Sequence, residues 1–160
     1  MKTNIGLVEY CKDQLGTPYW WGGYGQVADE KLLKKFKKMY PLRYLTGDFE
    51  SQFGQKIHDC SGLIKGYMWS ETSDSIPEYN PSHNINAEDM IKKCSVSGLI
   101  DSLPEIPGLL LFKEGHVGVY IGNGEAIEAR GRNFGVVKTK IKDRDWIMWG
   151  KLDWIDYIVS

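Results

Sequence analysis

The sequence is poor in cysteine and histidine and contains no long apolar run. Its three cysteines are an odd number without paired spacing, which argues against a disulfide framework. The three histidines, His58, His83 and His116, show none of the spacings of a metal site. We therefore expect no metal and no other cofactor. No apolar stretch is long enough to span a membrane, so no membrane span is expected.

An excess of charge of either sign is also missing. Twenty basic and 21 acidic side chains give a formal net charge of −1, so composition does not favour nucleic acid as a partner. Near the N-terminus, Glu9, Lys12 and Asp13 interrupt any apolar core of a signal peptide. We therefore expect a protein that is cytoplasmic as made, or one that reaches its site of action by another route.

The length of 160 residues and a hydrophobic fraction of 42% predict a single domain over residues 1–160. Apolar periodicity predicts helices over 4–15, 29–40 and 87–94, and one that begins near residue 60. The pattern then changes to strands, predicted over 108–112, 116–121, 125–130 and 134–141, with one or two more in 146–158. Helices first and an antiparallel sheet last indicate an α+β fold.

The residues around Cys60 are typical of a helix start. Asp59 is a favourable N-cap residue, which places Cys60 in the first turn. There the thiol faces free backbone N–H groups and the positive end of the helix dipole, so we expect its pKa to be lowered. Such a thiol is a candidate nucleophile. A cysteine that merely fills the core accounts for the same residues equally well.

A cysteine nucleophile needs a base, and His116 is the histidine on a predicted strand. If the following hairpin has a three-residue loop, residue 120 opposes 126, and Glu128 lies diagonally next to His116 on one face. A two-residue loop would place Glu128 on the other face. We expect Glu128 to accept the Nδ1 proton of His116, and to orient that ring without contributing to packing. A strand histidine beside a surface glutamate has the same pattern, so both interpretations stay open here.

Three motifs follow one another along the chain: Pro18-Tyr19-Trp20-Trp21-Gly22-Gly23, Asp59-Cys60-Ser61-Gly62-Leu63 and Gly115-His116-Val117-Gly118-Val119-Tyr120-Ile121-Gly122. Together they resemble the NlpC family of papain-like cell-wall cysteine peptidases, and the resemblance spans most of the chain. It implies a papain-like NlpC-type fold. In that fold the nucleophile lies at a helix N-terminus, and the N-terminal helices pack on the C-terminal antiparallel sheet.

The resemblance also implies roles for single residues. Cys60 would attack an amide carbonyl and His116 would be the base. Glu128 would orient His116, although the family more often has His, Asn or Gln at the matching position. Tyr19 matches a tyrosine that faces the substrate near the nucleophile, and we count it with the catalytic residues. The expected substrate-binding residues are Asp59, Ser61, Trp21, Gly22 and Arg130, the last as a partner for a substrate carboxylate.

The function implied by the resemblance is that of a cysteine peptidase that hydrolyses peptidoglycan stem peptides. The bond would lie next to D-glutamate, either between γ-D-glutamate and a diamino acid or after L-alanine, and the reaction would pass through a Cys60 acyl-enzyme. The alternatives are an amidase or acyl transferase on the same fold, and a non-catalytic cell-wall-binding module. A phage or prophage lysis enzyme and a cytoplasmic recycling enzyme are both compatible with the N-terminus, and a monomer is the default.

One stretch departs from the expected family pattern. The segment around 24–58, between the glycines of the first motif and the Asp-Cys block, is longer than expected for this family. It contains the predicted helix 29–40, whose exposed face is rich in lysine. We interpret it as an inserted helical segment that forms a wall or lid over the substrate groove.

Overall fold

A computed structural model describes residues 1–159 of the chain. In chain order its helices and strands are α1 (Asn4–Asp13), β1 (Tyr24–Val27), α2 (Glu30–Met39), β2 (Lys56–His58), α3 (Cys60–Trp69), α4 (Ala87–Ile91), β3 (Val96–Leu99), β4 (Leu110–Lys113), β5 (His116–Gly122), β6 (Glu125–Ala129), β7 (Val136–Lys140) and β8 (Met148–Lys151). Within this range, no helix combines the length and the apolar character that crossing a membrane requires.

The C-terminal half forms one six-stranded sheet in the order β3-β8-β4-β5-β6-β7, with every neighbouring pair antiparallel. A second, two-stranded sheet pairs β1 with β2. The predicted α+β layout, with helices first and an antiparallel sheet last, is confirmed. Four strands, β4 to β7, lie within two residues of their predicted bounds.

The β5–β6 hairpin has the register on which the placement of Glu128 depended. Tyr120 opposes Ala126, as predicted. The turn itself is tighter than predicted, because Gly122 pairs with Glu125 and the register shifts between Tyr120 and Gly122. Asn123 and the glycines on either side of it all have positive φ, which suits a tight hairpin turn with a bulge. The bulge restores the register that a two-residue turn alone would change.

Helix α3 packs on the sheet, and the main hydrophobic core lies between them. Leu63 and Ile64 are fully buried in one cluster with Val117, Val119 and Ile127 of the central strands. Helix α1 packs against α3 and adds Leu7 and Cys11 to this cluster. Burial of such side chains contributes about 1.5–3 kcal/mol each. The core therefore fixes the start of α3 relative to the start of β5.

Several predicted elements differ from the structure. Helix α4 ends at Ile91 rather than at residue 94, and the region 152–158 holds only an isolated bridge from Asp156 to Thr3. Strands β1, β2 and β3 were not predicted. Each has three or four residues, and β3 is mostly exposed, so none shows the alternation that marks a strand.

The stretch between β1 and β2 builds a second, smaller core. Trp20 is its centre and is 1% exposed; its indole Nε1 donates to Gln52 Oε1 at 2.6 Å. The aromatic side chains around Trp20 meet it edge-on and belong to Phe36, Tyr44 and Phe49. Helix α2, which Asp29 caps, supplies Leu33 and Phe36 to this cluster.

Candidate active site

Cys60 is the first residue of α3, as predicted, and it is half-buried. Asp59 caps the helix: its Oδ1 accepts the backbone N–H of Gly62 at 2.6 Å. Its Oδ2 accepts the N–H of Gly22 at 3.0 Å. One carboxylate therefore joins α3 to the glycines that follow Trp21.

The contact between α3 and this aromatic–glycine turn is unusually close. The carbonyl oxygen of Gly23 accepts the N–H of Asp59 at 2.8 Å. A Cβ atom on Gly62 would lie 1.7 Å from the same oxygen. Only glycine at position 62 leaves room for the turn. The first and second sequence motifs therefore form one packed unit.

The pKa of Cys60 is raised, whereas its position at the helix start predicted a lowered value. Burial raises the pKa of the Cys60 thiol to about 11, and the negative charge of Asp59 adds to the effect. Backbone N–H groups of Val117 and Ser61 stabilise the thiolate and lower the pKa, but they do not outweigh burial. The predicted lowering is therefore wrong for this protein, because desolvation of the thiolate exceeds the effect of the helix terminus.

His116 begins β5 and meets Glu128 of β6. Its Nε2 lies 2.8 Å from Glu128 Oε1. The predicted partnership of the two side chains is confirmed, but the ring nitrogen is Nε2 rather than Nδ1. Glu128 therefore contacts Nε2 and leaves Nδ1 to other partners. The N–H of Val117, the next residue of β5, faces the thiol of Cys60, which brings the start of β5 to the start of α3.

Glu128 is fully buried and held by three side chains. Arg144 donates from Nε to Oε2 at 2.9 Å and from Nη2 to Oε1 at 2.7 Å. Thr139 donates its hydroxyl to Oε2 at 2.6 Å. Burial alone would raise the pKa of Glu128, but hydrogen bonds from His116, Arg144 and Thr139 prevail and lower the pKa to about 2. The carboxylate stays charged, and our expectation that it does not contribute to packing is wrong.

Trp146 packs against a face of the His116 ring. The two rings are stacked, with centroids 5.5 Å apart and an angle of 13° between planes. A Cβ on Gly118 would lie 2.8 Å from the indole ring of Trp146. The glycine of the third motif therefore makes room for the indole that fixes the imidazole.

Tyr19 precedes the buried Trp20 and forms an isolated β-bridge with His58, next to Asp59. Burial raises its pKa, and negative charge at Asp59 and at Cys60 raises it further, so the phenol shares their surroundings. Tyr19 also lines a cavity of about 330 Å³. Arg43 and Arg132 belong to the same lining, so this cavity carries positive charge beside Tyr19.

A second cavity, also of about 330 Å³, lies on the other side of Trp21. Trp21 and Gly22 line it together with Asp59 and Lys65. The guanidinium of Arg43 lies 3.6 Å from the centroid of the Trp21 ring. Because Trp21 lines both cavities, its ring is a wall that they share.

Two predicted substrate-binding residues lie away from these cavities. Ser61 is 4% exposed, and its hydroxyl donates to Asp59 Oδ1 at 3.4 Å. Arg130 follows β6, and its guanidinium lies over the Phe134 ring, 4.2 Å from the centroid. Arg132 lines the cavity beside Tyr19, where it donates to the carbonyl oxygen of Thr46 at 2.6 Å.

Three neighbours of Glu128 and His116 were not predicted: Thr139, Arg144 and Trp146. The register contained a signal for Thr139, because residue 137 opposes Glu128 and Thr139 lies two residues further on the same face. Arg144 and Trp146 lie in a loop without periodicity. Within residues 1–159, no three metal-ligating side chains of the His, Cys, Asp and Glu types lie close enough together to hold a metal ion.

The model of the NlpC/P60 family matches residues 16–151 of the chain. The chain belongs to the NlpC/P60 family. The matched range contains Tyr19, Cys60, His116 and Glu128, so every predicted catalytic residue lies within the family domain. A search of curated protein sequences finds no match.

Solved NlpC/P60 structures share the fold. One is the P60 domain of an antigen from Mycobacterium avium subspecies paratuberculosis, at 22% identity and a TM-score of 0.59, with 96% of each chain covered. Another is the peptidoglycan hydrolase RipB from Mycobacterium tuberculosis, at 21% identity and a TM-score of 0.55, with 96% of this chain and 67% of that chain covered. At these identities the likeness is one of fold.

Proposed function

We propose that this NlpC/P60 domain is a cysteine peptidase that hydrolyses amide bonds in peptidoglycan stem peptides. The observation that carries the proposal is the arrangement at the starts of α3 and β5. Cys60 is the first residue of α3, and the backbone N–H of Val117 faces the Cys60 thiol. His116, the residue before Val117, contacts Glu128 through Nε2. Family membership and the neighbouring peptidoglycan hydrolase RipB support the substrate class.

In the first half-reaction His116 is the general base. Because burial keeps Cys60 protonated at neutral pH, Nδ1 takes the thiol proton as Sγ attacks the amide carbonyl. The imidazolium then gives this proton to the leaving amine as the C–N bond breaks. A thioester between Cys60 and the acyl part of the peptide remains. By resemblance to the family, the backbone N–H of Cys60, at the helix start, holds the oxyanion.

The second half-reaction releases the acid. His116 takes a proton from water, which attacks the thioester carbonyl. The C–S bond breaks, the thiol regains its proton, and the peptide leaves with a new carboxyl group. Glu128 accepts from Nε2 throughout, so it fixes the direction of Nδ1 and stabilises the imidazolium that forms in both halves.

Tyr19 and Trp21 have the complementary task of positioning the peptide. Each lines a cavity beside the nucleophile helix. Aromatic walls suit a peptide that must lie extended across the start of α3. The segment 24–58 supplies much of the outer wall through α2 and the turn at Arg43; that it is an insertion stays a prediction.

Mass spectrometry of defined stem peptides tests the function. The wild type should release two fragments whose masses name the bond, and Cys60→Ala should release none. Cys94→Ala is the matched control, because Cys94 follows α4, is 8% exposed, and its Sγ donates to the carbonyl oxygen of Met90. Equal cleavage by wild type and Cys60→Ala would contradict the nucleophile. On a stem peptide still attached to its sugar, release of the intact peptide would indicate an amidase, and an acylated acceptor amine would indicate a transferase.

A further inference from the structure

Lys65 is a buried cation with little to neutralise it. The residue is 8% exposed, and its Nζ donates to Asn84 Oδ1 at 2.9 Å. Among residues 1–159, no carboxylate oxygen lies within 4.0 Å of this ammonium group. An ammonium has three N–H donors, and burying one without an acid partner is costly. The charge of Asp59 and the Trp69 ring, whose centroid lies 5.8 Å from Nζ, offset part of this cost without forming an ion pair with Lys65.

The ammonium lies at the cavity on the Asp59 side of Trp21. Asp59 and Lys35 are the other charged residues in this lining. The carboxylate of Asp59 already accepts the N–H groups of Gly22 and Gly62. Burial lowers the pKa of Lys65, while negative charge at Asp59 and Cys60 opposes that change. The cavity thus offers cationic N–H donors that no group of the protein fully uses.

We propose that Lys65 forms a subsite for a carboxylate of the peptide substrate. This inference rests on the proposed peptidase function and names one group that the substrate must carry. An incoming carboxylate supplies the missing acid partner, and the low exposure of Lys65 makes the interaction strong. The aromatic rings of Trp21 and Tyr79 line the same cavity and bound the rest of the residue that carries the carboxylate.

Two carboxylates of a stem peptide have the required chemistry. A γ-linked D-glutamate keeps its α-carboxylate free, and the last residue has a C-terminal carboxylate. Three synthetic tripeptides separate the sources: L-Ala-γ-D-Glu-L-Lys, the analogue with the glutamate carboxylate amidated, and the analogue with the C-terminus amidated. Binding to the Cys60→Ala protein is measured by calorimetry, so cleavage is not required.

We expect one of the two amidated peptides to bind about tenfold or more weakly than the parent, because a charge-assisted hydrogen bond to a buried group is lost. In the double variant Cys60→Ala/Lys65→Met, that difference should disappear. Cys60→Ala/Lys31→Gln is the control, since it removes the same charge from an exposed position of α2. It should keep the full difference.

A stability measurement separates binding from folding. Because Met has nearly the volume of Lys without its charge, Lys65→Met should unfold at the same temperature as wild type or higher. Equal binding of the three peptides to Cys60→Ala, or no measurable binding of any, would overturn the subsite. So would a loss in Lys65→Met that is the same for all three.

The two proposals fail in different ways. If wild type cleaves stem peptides while amidation changes nothing, the subsite is wrong and the peptidase function stands. If wild type cleaves no stem peptide but Lys65 still distinguishes carboxylate from amide, the peptidase function is wrong and the carboxylate site stands.

Discussion

Arg144 holds both oxygens of Glu128, the carboxylate whose Oε1 also faces His116 Nε2 at 2.8 Å. The negative charge of Glu128 is therefore shared between the guanidinium of Arg144 and the imidazole of His116. Thr139 completes the set on Oε2. What looks from the sequence like an orienting glutamate is the centre of a buried hydrogen-bonded cluster, so its replacement affects folding as well as catalysis.

Glu128→Gln should lower the free energy of unfolding by about 1.5–3 kcal/mol, because it removes the buried charge that accepts hydrogen bonds from the half-buried Arg144 and from Thr139. Activity should fall as well, since His116 loses its charged acceptor. Urea unfolding at neutral pH and kcat on a stem peptide measure the two effects. Glu125→Gln is the control on the same strand: its partly exposed pair with Lys138, at 3.7 Å, contributes at most about 1 kcal/mol. Equal stability of the two variants would contradict the buried cluster.

The raised pKa of Cys60 predicts how the thiol reacts with iodoacetamide. With a pKa of about 11, the thiolate fraction grows about tenfold for each pH unit between neutral pH and pH 10. The rate of alkylation should rise with the same slope. Cys11 and Cys94, both buried, should stay unmodified in the folded protein. A rate that is already constant below pH 8 would instead indicate a preformed thiolate–imidazolium pair.

His58 predicts where the fold becomes sensitive to acid. It is fully buried, with its Nε2 2.9 Å from the Tyr10 hydroxyl and its Nδ1 3.3 Å from the Thr17 hydroxyl. Burial lowers its pKa from 6.5 to about 3. Between these values the unfolded chain binds a proton and the folded chain does not, so stability falls as pH drops below 6.5 and keeps falling toward pH 3.

The loss should approach about 1.4 kcal/mol per pH unit for this one group. Urea unfolding of wild type at pH 7.5, 6 and 5 should show the decline. His58→Gln should be less stable at pH 7.5, because the contacts of the ring are lost, but it should show a smaller decline with pH. An unfolding free energy of wild type that is flat from pH 7.5 to pH 5 would contradict a neutral buried His58.

Gly62→Ala should destabilise the protein, although alanine is the better helix former. The new methyl group would meet the carbonyl oxygen of Gly23, and such overpacking costs about 1–3 kcal/mol. Activity should fall too, because the turn that carries Tyr19 must move away from the helix. Thermal unfolding measures the first effect, with Glu9→Ala on the exposed side of α1 as control. A Gly62→Ala midpoint at or above that of wild type would contradict the close contact.

The parts of this molecule that were predictable from sequence are those with local signals. The cap at Asp59 and apolar periodicity predicted where the helices α2, α3 and α4 begin. Alternation and the Gly122-Asn123-Gly124 turn placed four strands, and the register then paired His116 with Glu128. These signals involve neighbours in the chain, or residues related by a single hairpin.

What the sequence did not contain was the effect of burial. The thiol of Cys60 has a helix terminus and an adjacent carboxylate, and only the folded environment decides that desolvation exceeds the dipole. Arg144 reaches Glu128 from a loop, and Lys65 is buried although its type is usually exposed. Such relationships depend on three-dimensional packing between distant segments, so no periodicity marks them.

Trp20 is buried in the smaller core, while Tyr19 and Trp21 on either side of it line the two cavities. The folded outer segment thereby fixes the positions of Tyr19 and Trp21, because neither residue can shift without moving the Trp20 indole out of the aromatic rings around it. Loss of the Phe36 or Phe49 ring from that small core would therefore lower kcat and not only weaken the binding of the peptide.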